Sequence, residues 1–377
     1  MSLDTASRER RNNFDVLRLA AASLVLVSHS FVVVGHHEPT VGHFQLGTLG
    51  VEIFFAISGF LVAKSWFSQP RLGAFVLKRA LRIVPALAVT VAALAFVVGP
   101  AVSDDAPKAY FGAAQTYAYP VDNVAAVATG GSVRHVSHDL PGVFATNPDT
   151  SVDRSLWTLP IEAQAYMAIA LLGIAGVLSG ALPLLVAGFF LLSVAPTGVL
   201  DLPGIGPALD FVRGADGEAA HLLAIFSLSA LMYRYRSRVA LRADLAAVAG
   251  IAWVASLGTP VERWVLVVAI PYLALYLAYR SWSGLRRLTA HADVSYGLYL
   301  LAFPVQQMIV HLWGADRPSP AVVALIAFPI TYLLALGSWH GVEKRALAMK
   351  HMLANRRAAR ATARRPAPEP EAAPVRA

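Results

Sequence analysis

Arg18 and His29 stand eleven residues apart in the stretch FDVLRLAAASLVLVSH at 14–29. At ~100° per residue, eleven steps of an α-helix close to within about 20° of whole turns, so both side chains share one face, ~16 Å apart along the axis. A guanidinium near one end of an apolar helix and an imidazole deep in it are costly to bury, and such residues point to function by default. Two carboxylates join them. Glu52 lies early in GVEIFF at 50–55, and Glu162 lies seven residues into the apolar stretch that begins at 156. Counted from their helix starts, His29, Glu52 and Glu162 are expected at one depth. A carboxylate beside an imidazole orients the ring and supports the imidazolium formed when it takes a proton, which is what a hydroxyl nucleophile requires. The alternative is a polar cluster that braces the helices. A second pair, Arg79 and Arg82 in LKRALRIVP at 77–85, shares a helix face. Two guanidinium groups there suit the phosphates of a coenzyme A, or simple anchoring at the basic side of a membrane.

The elements that must position these groups are apolar. Of 377 residues, 56% are hydrophobic and 14% charged, where a soluble protein would carry about 25% charged residues. A spanning helix needs roughly 20 mostly apolar residues. Ten stretches qualify: 14–35, 47–66, 81–100, 156–179, 181–200, 219–235, 243–259, 261–280, 294–313 and 320–342. The expected fold is therefore all-α, a polytopic membrane bundle of about ten transmembrane helices. With the N-terminus in the cytoplasm, all but six of the 31 basic residues fall on the cytoplasmic side. The exceptions are Lys108, Arg134, Arg154, Arg213, Arg263 and Arg317. This bias predicts that both termini are cytoplasmic, and it accounts for the net charge of +8 without nucleic acid. No cleavable signal peptide is expected at the first apolar stretch.

Residues 1–347 are read as one transmembrane domain. Its longest loop, about 101–155, lies outside and is expected to shape a substrate mouth. The Ala-, Arg- and Pro-rich tail at 348–377 is expected to be disordered and cytoplasmic. Cysteine is absent, which excludes disulfides and thiolate metal sites. His36, His37 and His43, and the pair His135 and His138, fit no closed zinc pattern, so no metal is expected. No internal repeat stands out. Buried His and carboxylates also suit a proton-coupled transporter or flippase of a small solute or lipid-linked sugar, and that reading remains beside the enzymatic one.

Taken together and in order, these stretches resemble the bacterial acyltransferase-3 family, from about 12 to 347. FDVLRLAAASLVLVSH looks like the family's Arg-x10-His helix, and GVEIFFAISGFLVAKS at 50–65 like its second-helix signature, usually with Asp at the place of Glu52. KRALRIVP at 78–85 resembles the Arg-x-x-Arg element tied to the acyl donor. LPGVFATNPDTSVDRSLWTLPIEAQAY at 140–166 and VSYGLYLLAFPVQQ at 294–307 resemble two further signatures, and Val-Glu-Lys-Arg at 342–345 resembles the Glu that ends the last helix. Two positions depart from the pattern. Ala302 stands where members often carry His, and Asp153-Arg154 stands where Asn-Gly commonly precedes Ser-Leu-Trp.

The resemblance implies a membrane-bound O-acyltransferase of the bacterial inner membrane. It would move acetyl from acetyl-coenzyme A, or another acyl group from its coenzyme A thioester, to a hydroxyl of an extracytoplasmic glycan or lipid-linked sugar. His29 would act as general base or transient acyl carrier, with Glu52 or Glu162 holding its tautomer. Arg79 and Arg82, with Arg18, would hold the donor, and Ser58, Ser155, Trp157 and Tyr166 would line the site. Membrane lipids are expected partners; nucleic acid is not.

Overall fold

The computed structural model describes residues 1–9, 12–132, 135–194, 217–280 and 292–349, together with Val212, Gly284 and 286–289. Each of the ten apolar stretches contains a helix. They are α1 (Phe14–Val32), α2 (Leu46–Ser68), α3 (Leu72–Ala93), α4 (Thr158–Ile174) and α5 (Leu178–Val194), then α6 (Glu218–Arg234), α7 (Ala243–Ser256), α8 (Glu262–Ala278), α9 (Ser295–Trp313) and α10 (Pro320–Ser338). Among the described residues, five helical runs are long and apolar enough to cross a membrane: Phe14–Val32, Leu46–Ser68, Leu72–Val102, Arg154–Ile174 and Pro320–Met349. The protein is thus all-α and of membrane type, with one two-stranded hairpin, Thr40–Val41 against Phe44–Gln45. The tail expected at 348–377 lies, from residue 350 onward, outside the described residues, as do 195–200 of the fifth stretch.

Helix α2 is the centre of the bundle. It packs against α1 on one side and α6 on the other, and α9 joins α1 to α10. Both close approaches use glycine. A Cβ on Gly50 would strike the carbonyl of Ala21 in α1, and one on Gly59 would strike the backbone of Phe226 in α6. Small residues allow membrane helices to meet backbone to backbone, where van der Waals contact replaces the missing hydrophobic drive. The bundle has two distinct ends. At the basic end, Asn13 caps α8, its Nδ2 donating to the carbonyls of Leu277 (3.2 Å) and Arg280 (2.6 Å). That fixes the height of Arg18. At the loop end lie the hairpin and the starts of α2, α6 and α8.

The long loop is partly helical. Pro107–Gly112 and Ala114–Thr129 form helices, the second packing on α3 and α4 and ending at Gly130 in a left-handed conformation (φ 61°). Beyond it, the chain from 135 to 157 folds into the bundle. The Tyr299 hydroxyl, about one turn into α9 from the basic end, donates to the carbonyl of Ser155 at 2.8 Å. Helix α4 therefore starts well inside the protein. The depth inferred for Glu162 from counting residues is wrong for this reason.

Candidate active site

A cavity of about 620 Å³ opens at the basic end between α1, α2, α3, α4 and α9. Its wall carries five basic side chains, Arg18, Lys64, Lys78, Arg79 and Arg82, against two acidic ones, Glu162 and Asp293. Asp293, which sequence reasoning passed over, organises the mouth. Its Oδ2 accepts from Arg18 at 2.6 Å and from Arg82 at 2.7 Å, and its Oδ1 accepts from Ser295 at 2.6 Å. Burial works to raise the Asp293 pKa, but Arg82 and Arg18 outweigh it and hold the carboxyl at about 2. Arg82 also reaches Glu343 at 3.5 Å. Glu343 ends the π-helical turn Trp339–Glu343, and such turns interrupt α-helices mainly at functional places. Asp293 was legible only as the residue two before Ser295; an acid just outside a helix reads as solvated surface.

Arg79 is held differently. Its guanidinium lies 5.6 Å from the ring centre of Tyr166, and its buried Nε has no partner. Deeper in, Glu162 accepts from Ser58 at 2.8 Å and from the Tyr166 hydroxyl. Four of the expected residues, Ser58, Arg79, Glu162 and Tyr166, thus share one wall. The cavity's inner end is closed by Tyr299 and Phe54, whose rings meet edge to face at 5.7 Å.

Neither carboxylate reaches His29. Glu162 is engaged as above, and Glu52 Oε1 accepts from His221 Nε2 at 2.8 Å, with both side chains buried. The expectation that Glu52 or Glu162 orients the His29 ring is corrected on that geometry. The physical reason is azimuth. Six residues separate Glu52 from Ser58, which turns the two positions ~120° apart on α2. Ser58 faces α4 and Glu52 faces α6. Counting residues along a helix does not give the neighbour each face meets.

His29 instead sits edge-on to Phe303 at 5.1 Å, and its buried Nδ1 has no partner. Phe303 is one helical turn beyond Tyr299 on α9, so His29 lies past the cavity's closed end and does not line it. Two adjacent glutamines build its surroundings. Gln306 donates to the Leu26 carbonyl and Ser30 Oγ of α1, both at 2.6 Å. Gln307 donates to the carbonyls of Asp149 (2.7 Å) and Ser151 (2.6 Å), drawing the loop over the helix end. In that loop Arg154 pairs with Asp149 at 2.9 Å. Ser155 is buried near this loop and lines neither cavity. Trp157 lines a second cavity at the loop end. Asp153 is buried and caps the turn before α4 through Ser155 N–H at 2.8 Å. Its burial, opposed in part by the Ser155 hydrogen bonds, pushes the carboxyl up to about 8. Among the described residues, no three His, Asp or Glu side chains gather as metal ligands.

The fold and this cavity define a class: a helical membrane protein with a charged chamber sunk into its bundle. A family model described as an acyltransferase domain, that of the acyltransferase-3 family, matches residues 11–340, and the chain belongs to that family. It is an acyltransferase. The chain is 27% identical over 361 residues to an O-acetyl transferase of Shigella phage Sf6, covering 90% of this chain and 96% of that protein. It is 31% identical over 172 residues to Nodulation protein 10 of Rhizobium leguminosarum bv. viciae, covering 44% of this chain and 45% of that one. No solved structure matches it.

Proposed function

We propose that the protein transfers an acyl group, acetyl foremost, from acyl-coenzyme A to a hydroxyl of an extracytoplasmic glycan or lipid-linked sugar. The observation that carries this reading is the basic-end cavity. It opens at the basic end, has a volume of about 620 Å³ and carries more basic than acidic side chains. Coenzyme A presents phosphates at one end and a thioester at the other, and guanidinium groups bind phosphate through paired, charge-assisted hydrogen bonds. Arg79, with no carboxylate on it, is the group best prepared to receive one. Arg82 and Arg18 complete the mouth. The basic residues at that end support a cytoplasmic donor side and an inner-membrane location with all ten helices crossing. The likeness to the phage O-acetyl transferase supports an oxygen acceptor.

His29 acts either as general base on the acceptor hydroxyl or as transient carrier of the acyl group. Its ring has a buried nitrogen with no partner and lies one turn beyond Tyr299. It becomes reachable from the cavity when the Tyr299–Phe54 contact opens. A ring without a carboxylate beside it is better suited to attack a thioester than to stabilise a long-lived imidazolium.

The test uses purified full-length protein in detergent with acetyl-coenzyme A, and mass spectrometry of surface glycans and lipids from a deletion strain. Acyl-coenzyme A consumption, and the loss of an acetyl-sized mass from one glycan or lipid species, are expected. Neither appearing would overturn the proposal. Arg79→Ala should raise KM for acyl-coenzyme A by about 10- to 100-fold, the worth of one charged hydrogen bond, with thermal stability unchanged. Arg82→Ala should do the same and also lower stability, because Asp293 then keeps one of its two guanidinium partners.

A further inference from the structure

At the loop end, a cavity of about 370 Å³ is lined by Phe44, Thr48, Trp157, His221, Thr259 and Arg263, among others. We propose that it is a carbohydrate subsite, which holds one pyranose ring of the acceptor against Trp157 and bonds a ring hydroxyl to His221. The inference rests on the proposed function for its purpose, but not for its chemistry.

Three observations carry it. The first is the state of His221. Its Nε2 pairs with Glu52 Oε1 at 2.8 Å, which leaves Nδ1 as the ring's second hydrogen-bonding atom. That Nδ1 is buried and has no partner, and neither has Glu52 Oε2. Buried polar atoms are nearly always satisfied, and an exception calls for a missing partner. A hydroxyl, which can donate or accept, fits that position. Phe44 stacks on the ring at 5.4 Å and fixes its plane.

The second is the lining. Trp157 offers a flat indole face, and Gln45, Thr48, Glu218 and Thr259 offer uncharged and charged hydrogen-bonding groups around it. Glu218 and Arg263 oppose each other in sign, which favours a neutral ligand with many hydroxyls. The volume falls near the lower end of the ~300–1,000 Å³ typical of small-ligand pockets. The groove between α7 and α8 makes the contrast. It is lined by Leu245, Val248, Trp264, Val268 and other apolar residues, which suits a lipid chain.

The third is position. Val51, next to Glu52, lines both this cavity and the basic-end one, and Trp157 and Thr158 are consecutive residues facing one cavity each. The two chambers are thus neighbours, with Val51 of α2 in the wall of each. A sugar held at His221 is therefore brought up to the wall behind which the acyl donor is proposed to lie.

The experiment measures binding apart from transfer. Saturation-transfer NMR is run on the purified full-length protein with a panel of methyl glycopyranosides: a hexose, a 6-deoxyhexose and an N-acetylhexosamine. At least one should receive saturation from the wild type. That signal should disappear in Thr48→Leu, which adds bulk to the lining and leaves both members of the buried pair in place, and should drop at least tenfold in His221→Gln. Binding of acetyl-coenzyme A, measured by equilibrium dialysis, should stay within twofold in Thr48→Leu. If no glycoside binds, or if Thr48→Leu binds it as the wild type does, the sugar subsite is refuted whatever the transfer assay shows. If glycoside binding behaves as expected but no acyl-coenzyme A is consumed, the proposed function fails and the subsite stands.

Discussion

His29 and His221 occupy the same kind of environment, apolar helices at similar remove from the basic end, and are equipped in opposite ways. His221 has a carboxylate at 2.8 Å and an aromatic ring stacked on it. It is fixed in plane. His29 has a single edge-on contact with Phe303 and no hydrogen bond to its Nδ1. A ring locked by Glu52 is fit to hold a ligand in one orientation. A ring without such a partner keeps its nitrogen available for reaction. Burial alone therefore says little about what a membrane histidine does; the partner on its second nitrogen says more.

The contrast is open to direct attack. The largest effect is expected at His29. His29→Ala should lower acyl transfer by about 100- to 10,000-fold, the usual weight of a base or nucleophile, while thermal unfolding in detergent shifts by the equivalent of about 1 kcal/mol for the lost ring contact. Transfer within tenfold of the wild type would remove His29 from the chemistry.

A smaller effect, and on the other quantity, is expected at the locked pair. Glu52→Gln should cost about 1–3 kcal/mol of stability, because a buried hydrogen bond to a charged group is weakened. A double-mutant cycle of Glu52→Gln with His221→Gln should show coupling above about 0.5 kcal/mol, measured by denaturant unfolding. Additive effects would mean the pair is a contact without energetic content, and the contrast with His29 would fade.

The last effect is a pH dependence, at Asp153 in the loop before α4. Its folded pKa of about 8 lies above the ~3.9 of an unfolded aspartate. Between those values the folded state binds the extra proton, so stability falls as pH rises from about 4 to 8. Asp153→Asn should flatten that dependence, with melting temperature compared at pH 5 and 8.5. An unchanged slope would show that the buried carboxyl is not the source.

How far the chain could be read without its structure depended on the type of signal. The ten helical stretches were legible because a run of apolar residues has few alternatives in a bilayer, where every backbone group must be satisfied internally. Arg18, Arg79 and Arg82 were legible as a basic group at one end of the bundle, because helical period and charge bias are local properties. The pairing of His29 with Glu52 or Glu162 was not, and neither were Asp293, His221, Gln306 and Gln307. His221 lies in an apolar stretch with no spacing that ties it to Glu52, 169 residues earlier.

Composition, helical period and the order of motifs were sufficient to determine an all-helical membrane acyltransferase and the faces that carry its charges. They depend on neighbours within a few turns of the same helix. Which carboxylate meets which imidazole was decided by the tertiary structure alone. Contact between helices depends on rotation about each axis and on where a loop dips into the bundle, as the chain before Ser155 does. A turn of ~100° per residue makes that choice invisible until the helices are packed.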